Sequence, residues 1–262
     1  MSNEQVKNEV AKKAKSEVAV LDIESFGDQG FENLTSKDLA LPFLKILGQL
    51  SPQVTQGDSK FIPDARPGMI YNTVTNQLYD GQKGINVVPC FYKLQYIEWQ
   101  DRKEGTGSPA NIYESDSDIL SKTTRDDFNK DRLENGNYVE ETASHYVLIL
   151  DKDMPTETAL ITMKSTQSKK SKKWNSMMQS IKEKKKDGSG FYKPAMFTQV
   201  YNLKTVLEKN SLGSWYGWDI EHVSKVPNNS VLQAAHDFYK SCSGGEVKVK
   251  YDNEETAEKA PF

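Results

Sequence analysis

The chain has 262 residues, a length that suits one elaborated domain with flexible ends better than two full domains. Apolar residues make up only 36% of it and charged residues 27%, so part of the chain is expected to lie outside a packed core. No apolar run is long enough for a membrane span, and the first residues lack the apolar stretch of a signal peptide; both features predict a cytoplasmic protein. Cys90 and Cys242 are far apart and show no CxxC spacing, which argues against a disulfide framework and against structural zinc.

The first part of the chain is predicted to be a flexible leader, residues 1–35, followed by one domain that covers residues 36–245. The stretch DLALPFLKILGQLSPQV opens the domain, and Pro42 is expected to interrupt a helix there. The next stretch is rich in β-branched and aromatic residues and predicts a hairpin whose turn is DGQKG, residues 80–84. Pro89 lies in its second strand, where an edge position or a bulge would tolerate the missing N–H.

The middle of the chain is acidic and then strongly apolar. Residues 104–144 contain ten acidic and four basic side chains, and we interpret residues 102–143 as a mobile acidic insertion because the stretch is too long for a simple connection. HYVLILD and TALITMK then predict a second hairpin joined by the loop KDMPTE. Alternation in its return strand places three apolar side chains inward: Ala159, Ile161 and Met163.

A helix is predicted over STQSKKSKKWNSMMQSIKEKKK, because four apolar residues follow helical spacing and should pack on the sheet: Trp174, Met177, Met178 and Ile181. FYKPAMFTQVYNL and WYGWDIEHV predict further strands, with LKTVLEKNSLG between them. SVLQAAHDFYKSC predicts a last helix with Ser230 as N-cap and Gly244 just past its end. These elements favour a mostly β (α+β) fold, a partly open OB-like barrel with a basic helix and insertions.

The charge of the chain is unevenly distributed. The formal net charge is only −3, yet residues 164–186 hold nine lysines and one glutamate. With Trp174 turned to the sheet, the helix presents lysines on its outer face, and such point charges bind phosphates without reading bases. We therefore predict that nucleic acid contacts Lys169, Lys170, Lys172 and Lys173. The alternative interpretation is an ordinary solvated helix face.

Aromatic residues are concentrated on two segments: Phe91, Tyr92, Tyr96 and Trp99 on one, and Trp215, Tyr216 and Trp218 on the other. Exposed rings beside a basic surface can stack the bases of a single strand irrespective of sequence. Tyr96 and Trp99 are predicted to do so, because they lie near the polar end of their strand. The alternative is plain core packing.

The C-terminal tail, residues 246–262, ends in acidic residues followed by a terminal aromatic residue. Such a peptide can dock into a pocket with a basic rim on a partner, or occupy the basic groove of its own protein. The residues predicted to act in this way are Asp252, Glu254, Glu255, Glu258 and Phe262. An acidic tail that only aids solubility is the alternative.

The tail resembles those of bacterial and phage single-stranded DNA-binding proteins, which end in acids and a terminal phenylalanine. Over residues 39–242, the blocks LPFLKILGQLSPQV, GMIYNTVTNQLYDG, STQSKKSKKWNSM and NSLGSWYGW are similar to phage early proteins associated with single-stranded DNA binding. The resemblance implies an OB-like core, a phage origin, a place in the host cytoplasm, and replication or recombination proteins as partners. A homodimer is compatible with it.

Motifs of enzymes are weak in this sequence. His145, His222 and His236 have no metal-ligand spacing, and GxxxxGK[ST], GxSxG and HExxH are missing, so we expect no enzymatic activity, no cofactor and no metal. A metal-dependent nuclease would have to use clustered acids, for which the candidates are Glu98, Asp101, Asp151 and Asp153. The prediction is a protein that coats single-stranded DNA. A phage virion or assembly protein that binds no nucleic acid is the main alternative.

Overall fold

The computed structural model describes residues 27, 29–35, 38–100, 107–211 and 213–251. Residues from Leu39 onward belong to one compact unit, and the chain up to Asp38 forms another. In the described part, the strands are β1 Leu44–Ile46, β2 Ile70–Asn72, β3 Leu78–Tyr79, β4 Ile85–Trp99, β5 Asn111–Glu114, β6 Thr124–Arg125, β7 Asp131–Arg132, β8 Tyr138–Asp151, β9 Met154–Lys164, β10 Glu183–Lys184, β11 Phe191–Tyr192, β12 Gln199–Asn210 and β13 Gly213–Lys225. The α-helices are α1 Ser168–Ser180 and α2 Asn229–Ser243.

Most strands join one antiparallel sheet with the order β13-β12-β4-β8-β7-β6, in which β5 pairs with β4 and β9 pairs with β8. This sheet curls into a half-barrel. A smaller sheet, β1-β2-β3, and the hairpin β10-β11 complete the strands of the described part. The predicted fold class is confirmed: the fold is mostly β and consistent with an OB-like barrel.

The sheet is buried on both faces, because a helix covers each side. Along β8, Val147 and Ile149 belong to the core under α1, whereas Leu148 and Leu150 belong to the core under α2. Successive side chains of a strand point to opposite faces, so two cores require an unbroken apolar run, as HYVLILD provides. The predicted hairpin is confirmed as β8 and β9, and the three residues predicted to point inward are fully buried: Ala159, Ile161 and Met163.

The basic helix packs on the sheet through the residues that its spacing predicted. Trp174 is 0% exposed and Met178 is buried, while Met177 and Ile181 pack against the same core. The helix ends at Ser180, however, whereas the lysine-rich segment after it was predicted to continue the helix. Glu183 instead begins β10, pairs with β11, and accepts an ion pair of 2.8 Å from Lys225.

The first predicted hairpin is wrong. The residues on either side of the turn 80–84 do not pair with each other, because β3 pairs with β2 and β4 pairs with β8 and β12. The turn instead packs on β12, where the N–H of Thr205 donates to the carbonyl of Gly81 at 2.8 Å. A Cβ on Gly81 would lie 1.9 Å from the carbonyl oxygen of Gly68, so this close approach requires glycine.

Other local predictions are corrected by hydrogen bonding. The apolar run after Pro42 forms strand β1 rather than an interrupted helix. The bulge expected as one alternative at Pro89 is, in contrast, confirmed: Pro89 lies in a central strand, and the register shifts between Pro89 and Phe91. The stretch predicted as a connection after Leu203 is part of β12. The N-cap of α2 is Asn228, whose side chain accepts from the N–H of Val231, and not Ser230; Gly244 is the C-cap.

The expected mobile insertion contains strands β5, β6 and β7 and a turn of 3₁₀ helix at Ile119–Lys122. Past the expected domain end at residue 245, Val247 and Val249 still pack on the core under α2. Most of the predicted leader and the tail residues 252–262 lie outside the described residues. No helix in the described part is long and apolar enough to cross a membrane.

Candidate nucleic-acid interface

A groove of about 2320 Å³ opens on the surface of the half-barrel. One wall is formed by residues 44–53 and 59–62, and a second wall by residues 125, 128–132 and 135–141, which include β7 and the end of β6. The groove is also lined by two shorter segments: residues 213–216, at the start of β13, and residues 165–168, which lead into α1. The groove therefore combines segments that are far apart in the sequence.

Positive charge is in excess in this groove. Three acidic side chains line it, namely Asp131, Glu140 and Glu141, against six basic ones, namely Lys45, Lys60, Arg125, Lys130, Arg132 and Lys164. Two of the basic groups are paired inside the groove, Arg125 with Asp131 at 3.1 Å and Lys164 with Glu140 at 2.9 Å. Lys45 forms no ion pair with a described residue, and its Nζ lies 5.8 Å from the centroid of the Phe43 ring. Arg132 pairs with Asp126 at 2.8 Å, so the lining of the groove carries more basic than acidic side chains, most of them already in contact with other residues.

Aromatic rings line the same groove, and five of them retain exposed surface: Phe61, Phe128, Tyr138, Trp215 and Tyr216. Phe128 is the most open, with 65% of its surface exposed. The ring of Tyr138 makes cation–π contacts with two side chains: Lys130 Nζ lies 4.0 Å and Arg132 Cζ 5.7 Å from its centroid. Cationic and aromatic side chains therefore stand side by side, as the binding of a single-stranded nucleic acid requires.

Asp126 shapes the loop that carries Phe128. One oxygen of its carboxylate accepts from the backbone N–H groups of Phe128, at 2.9 Å, and Lys130, at 2.8 Å. The other oxygen accepts from Nε of Arg132 at 2.8 Å. Asn129 adopts a left-handed φ of 59°, which closes the loop between β6 and β7. We call residues 119–137, which hold this loop, the arm.

Glu98 ties the arm to the central strand β4. Its carboxylate accepts four hydrogen bonds, from Asn111 at 2.7 Å, Tyr113 at 2.6 Å, Asn135 at 3.2 Å and Asn137 at 2.5 Å. The residue is 2% exposed. Burial raises the pKa of Glu98, but the four donors outweigh it and hold the pKa at about 2. The charged carboxylate is therefore a structural anchor of the groove wall.

The predicted lysines of α1 lie beside the groove and do not line it. Lys169, Lys172 and Lys173 are exposed, as the helical spacing required, whereas Lys170 is half-buried and pairs with Glu208 at 2.6 Å. Lys172 lies 3.8 Å from Glu141 of the groove. Lys170 and Lys172 are thus each within ion-pair distance of a glutamate, whereas Lys169 and Lys173 are exposed on the same helix.

Neither of the two predicted stacking residues lines the groove, although Trp99 lines the small neighbouring pocket that shares Lys45 and Lys164 with it. Tyr96 is half-buried and does not line it. Trp99 is only 4% exposed, so a base cannot reach its ring, and that prediction is corrected. Trp215 and Tyr216 of the second aromatic segment do line the groove, whereas Trp218 is buried at its base.

The tail begins next to the groove. Tyr251, the last described residue, donates a hydrogen bond to Gln95 at 3.3 Å and lies 3.0 Å from the hydroxyl of Ser144. Its small pocket shares Lys45 and Lys164 with the groove. The predicted partner-binding residues all lie outside the described part: Asp252, Glu254, Glu255, Glu258 and Phe262.

The candidate nuclease acids do not form a cluster in the described part, where no group of three or more histidine, cysteine, aspartate or glutamate side chains could hold a metal. Glu98 is occupied by its four donors, and Asp151 and Asp153 belong to the β8–β9 turn. Asp101 lies outside the described residues. His145 is buried, and burial lowers its pKa to about 3.

Comparison with known proteins finds a family model, Pam3 phage gp34-like protein, that matches residues 11–248. The chain belongs to this family. The match supports the phage origin that the resemblance implied. It does not identify a ligand of this gp34-like protein. No curated protein and no solved structure matches the chain.

Sequence reasoning missed most of the groove of this gp34-like protein. Arg125, Lys130 and Arg132 are hidden in a stretch that is acidic on average, and Phe128 is a single aromatic residue among polar ones. The available signal was local: DFNKDR places a phenylalanine between charged residues in a stretch with turn-forming residues. The pattern is visible when only a few neighbouring residues are considered together. The net charge summed over about forty residues conceals it, because that sum is acidic.

Proposed function

We propose that this gp34-like protein binds single-stranded DNA in its groove without sequence preference, and that it coats exposed strands during phage DNA replication or recombination. The observation that supports this proposal is the excess of cations beside open aromatic rings in one groove of an OB-like half-barrel. Cations neutralise phosphates, while rings stack on bases, whichever base is present. The reaction is binding alone, with no catalytic step.

The arrangement favours a strand that passes through the groove and leaves across α1. Ser168, the first residue of α1, lines the groove, and Lys169 and Lys172 follow at its rim. The tail starts at the same groove after Tyr251, so its acids can recruit replication or recombination proteins close to the bound strand. Both parts of the proposal use the same face of the molecule.

A titration of fluorescent oligo-dT with the purified protein at several salt concentrations tests the proposal. We expect log affinity to fall linearly with log salt, with a slope of about −0.7 per phosphate neutralised. The double variant Lys45→Ala/Arg125→Ala should weaken binding and flatten this slope. Exposed lysines away from the groove provide the matched control, and Lys83→Ala/Lys248→Ala should leave both quantities close to wild type.

Wild-type protein that fails to bind oligo-dT at low salt would overturn the proposal. A virion or assembly protein would then be the better interpretation, because charged surfaces also fit protein subunits. Degradation of the oligonucleotide on addition of magnesium would instead favour the nuclease.

A further inference from the structure

We propose that Phe128 is the residue that selects single-stranded over double-stranded DNA, by stacking an unpaired base at the tip of the arm. The inference rests on the proposed function and assigns a specific role to a residue that the sequence did not single out. It follows from three properties of Phe128: its exposure, its fixed position and its neighbours.

Phe128 is 65% exposed although it lies in a loop held by hydrogen bonds. A ring of this size at the protein surface gains little from folding, since most of its apolar area stays in water. Asp126 fixes the backbone on both sides of Phe128 through its bonds to the N–H groups of Phe128 and Lys130. The ring is therefore presented from a prepared loop, which lowers the entropy cost of binding.

Cations that could hold a backbone flank this ring. Arg125, which pairs with Asp131 at 3.1 Å, precedes the loop, and Lys130, whose Nζ lies over the Tyr138 ring, closes it; both line the groove together with Phe128. A nucleotide held at the arm can thus place its phosphate against a cation and its base against Phe128.

A double helix offers no partner for the ring, because its base faces are stacked inside the duplex. It does offer phosphates, so the cations of the groove would still attract it. Removal of the ring should therefore lower the affinity for single strands and leave the weaker duplex affinity unchanged. This loss of preference distinguishes stacking from a purely electrostatic role.

The experiment compares binding of oligo-dT and of a duplex of equal length to wild type, Phe128→Ala, Phe128→Leu and Phe128→Trp. Loss of one stacked base should weaken oligo-dT binding by about 5-fold to about 150-fold in both the alanine and the leucine variant. The tryptophan variant should bind at least as tightly as wild type. The salt slope should not change, since no charge is removed. Phe191→Ala is the matched control, because Phe191 is 62% exposed on β11 and does not line the groove.

Equal loss of affinity for oligo-dT and duplex would overturn the inference, and so would wild-type affinity in the leucine variant. In either case the proposed function stands if wild type binds oligo-dT with the expected salt dependence. The melting temperature of each variant should match that of wild type, because Phe128 contributes little to the core; a lower value would also contradict the fixed, exposed ring.

Discussion

The hydroxyl of Tyr113 donates a hydrogen bond of 2.6 Å to the carboxylate of Glu98, across the pairing of β4 with β5. Three asparagine amides donate to the same carboxylate, and two of them, Asn135 and Asn137, hold the arm against the sheet. A buried carboxylate with four donors is satisfied, whereas an amide in its place would offer one acceptor oxygen and an NH₂ group that faces other donors.

Glu98→Gln should therefore destabilise the protein by about 1–3 kcal/mol, because it leaves buried donors without an acceptor. The free energy of unfolding in urea measures this. Glu134→Gln is the matched control, since Glu134 is exposed on the same arm. A Glu98→Gln variant as stable as wild type would contradict the anchoring role.

The same carboxylate predicts a pH dependence. The pKa of Glu98 in the folded protein is about 2, below its ordinary value of 4.5, so the unfolded chain binds more protons between these values. The stability that Glu98 contributes is present above pH 4.5 and is lost as the pH falls toward 2. The difference in unfolding free energy between wild type and Glu98→Gln should shrink over this window. A difference that stays constant from pH 5 to pH 2.5 would show that the carboxylate is not specifically stabilised.

Trp174→Ala should cost about 3–5 kcal/mol of stability, as expected for a buried large aromatic residue. Trp174 is 0% exposed and stacks on His145 at 4.5 Å between ring centroids. Trp215→Ala removes a half-buried ring of the groove instead, so it should reduce oligo-dT binding more than stability. Thermal unfolding and oligo-dT titration of both variants separate the two roles. Unchanged melting with reduced DNA binding in Trp174→Ala would show that its ring contacts DNA.

Replacement of the four predicted helix lysines by alanine should weaken oligo-dT binding and flatten its salt dependence. The four residues are Lys169, Lys170, Lys172 and Lys173. Lys169 and Lys173 should account for more of the change than Lys170, because Glu208 already neutralises Lys170 at 2.6 Å. The double variant Lys169→Ala/Lys173→Ala and the single variant Lys170→Ala, titrated over one salt series, measure the two contributions. A slope unchanged in the fourfold variant would remove α1 from the interface.

Deletion of residues 252–262 should leave the melting temperature unchanged and tighten oligo-dT binding at low salt. The tail holds four acids against one lysine and starts beside Lys45 and Lys164, so it competes with phosphates. The gain should shrink as the Debye length falls from about 30 Å at 0.01 M to about 8 Å at 0.15 M salt. Weaker binding by the truncated protein would show that the tail itself contacts DNA.

Phe262→Ala should keep wild-type DNA binding and lose the recruitment of partners.

The sequence by itself determined the elements whose signal is local. The apolar run HYVLILD predicted β8, and the alternation in TALITMK predicted β9. The spacing of Trp174 and Met178 predicted the buried face of α1, since helix and strand periods depend only on neighbouring residues. The mostly β fold followed from the same patterns.

Tertiary structure decided which strands pair and which residues meet. The sequence around residues 80–84 does not indicate that β3 pairs with β2 or that β4 pairs with β8. Strand pairing depends on packing against residues that are distant in the sequence, such as Thr205. Likewise, the burial of Trp99 depends on packing in the folded protein, and the groove joins Lys45, Phe128 and Trp215 from three parts of the chain. Side-chain burial and charge at a site are properties of the assembled sheet, so the sequence alone did not locate the groove.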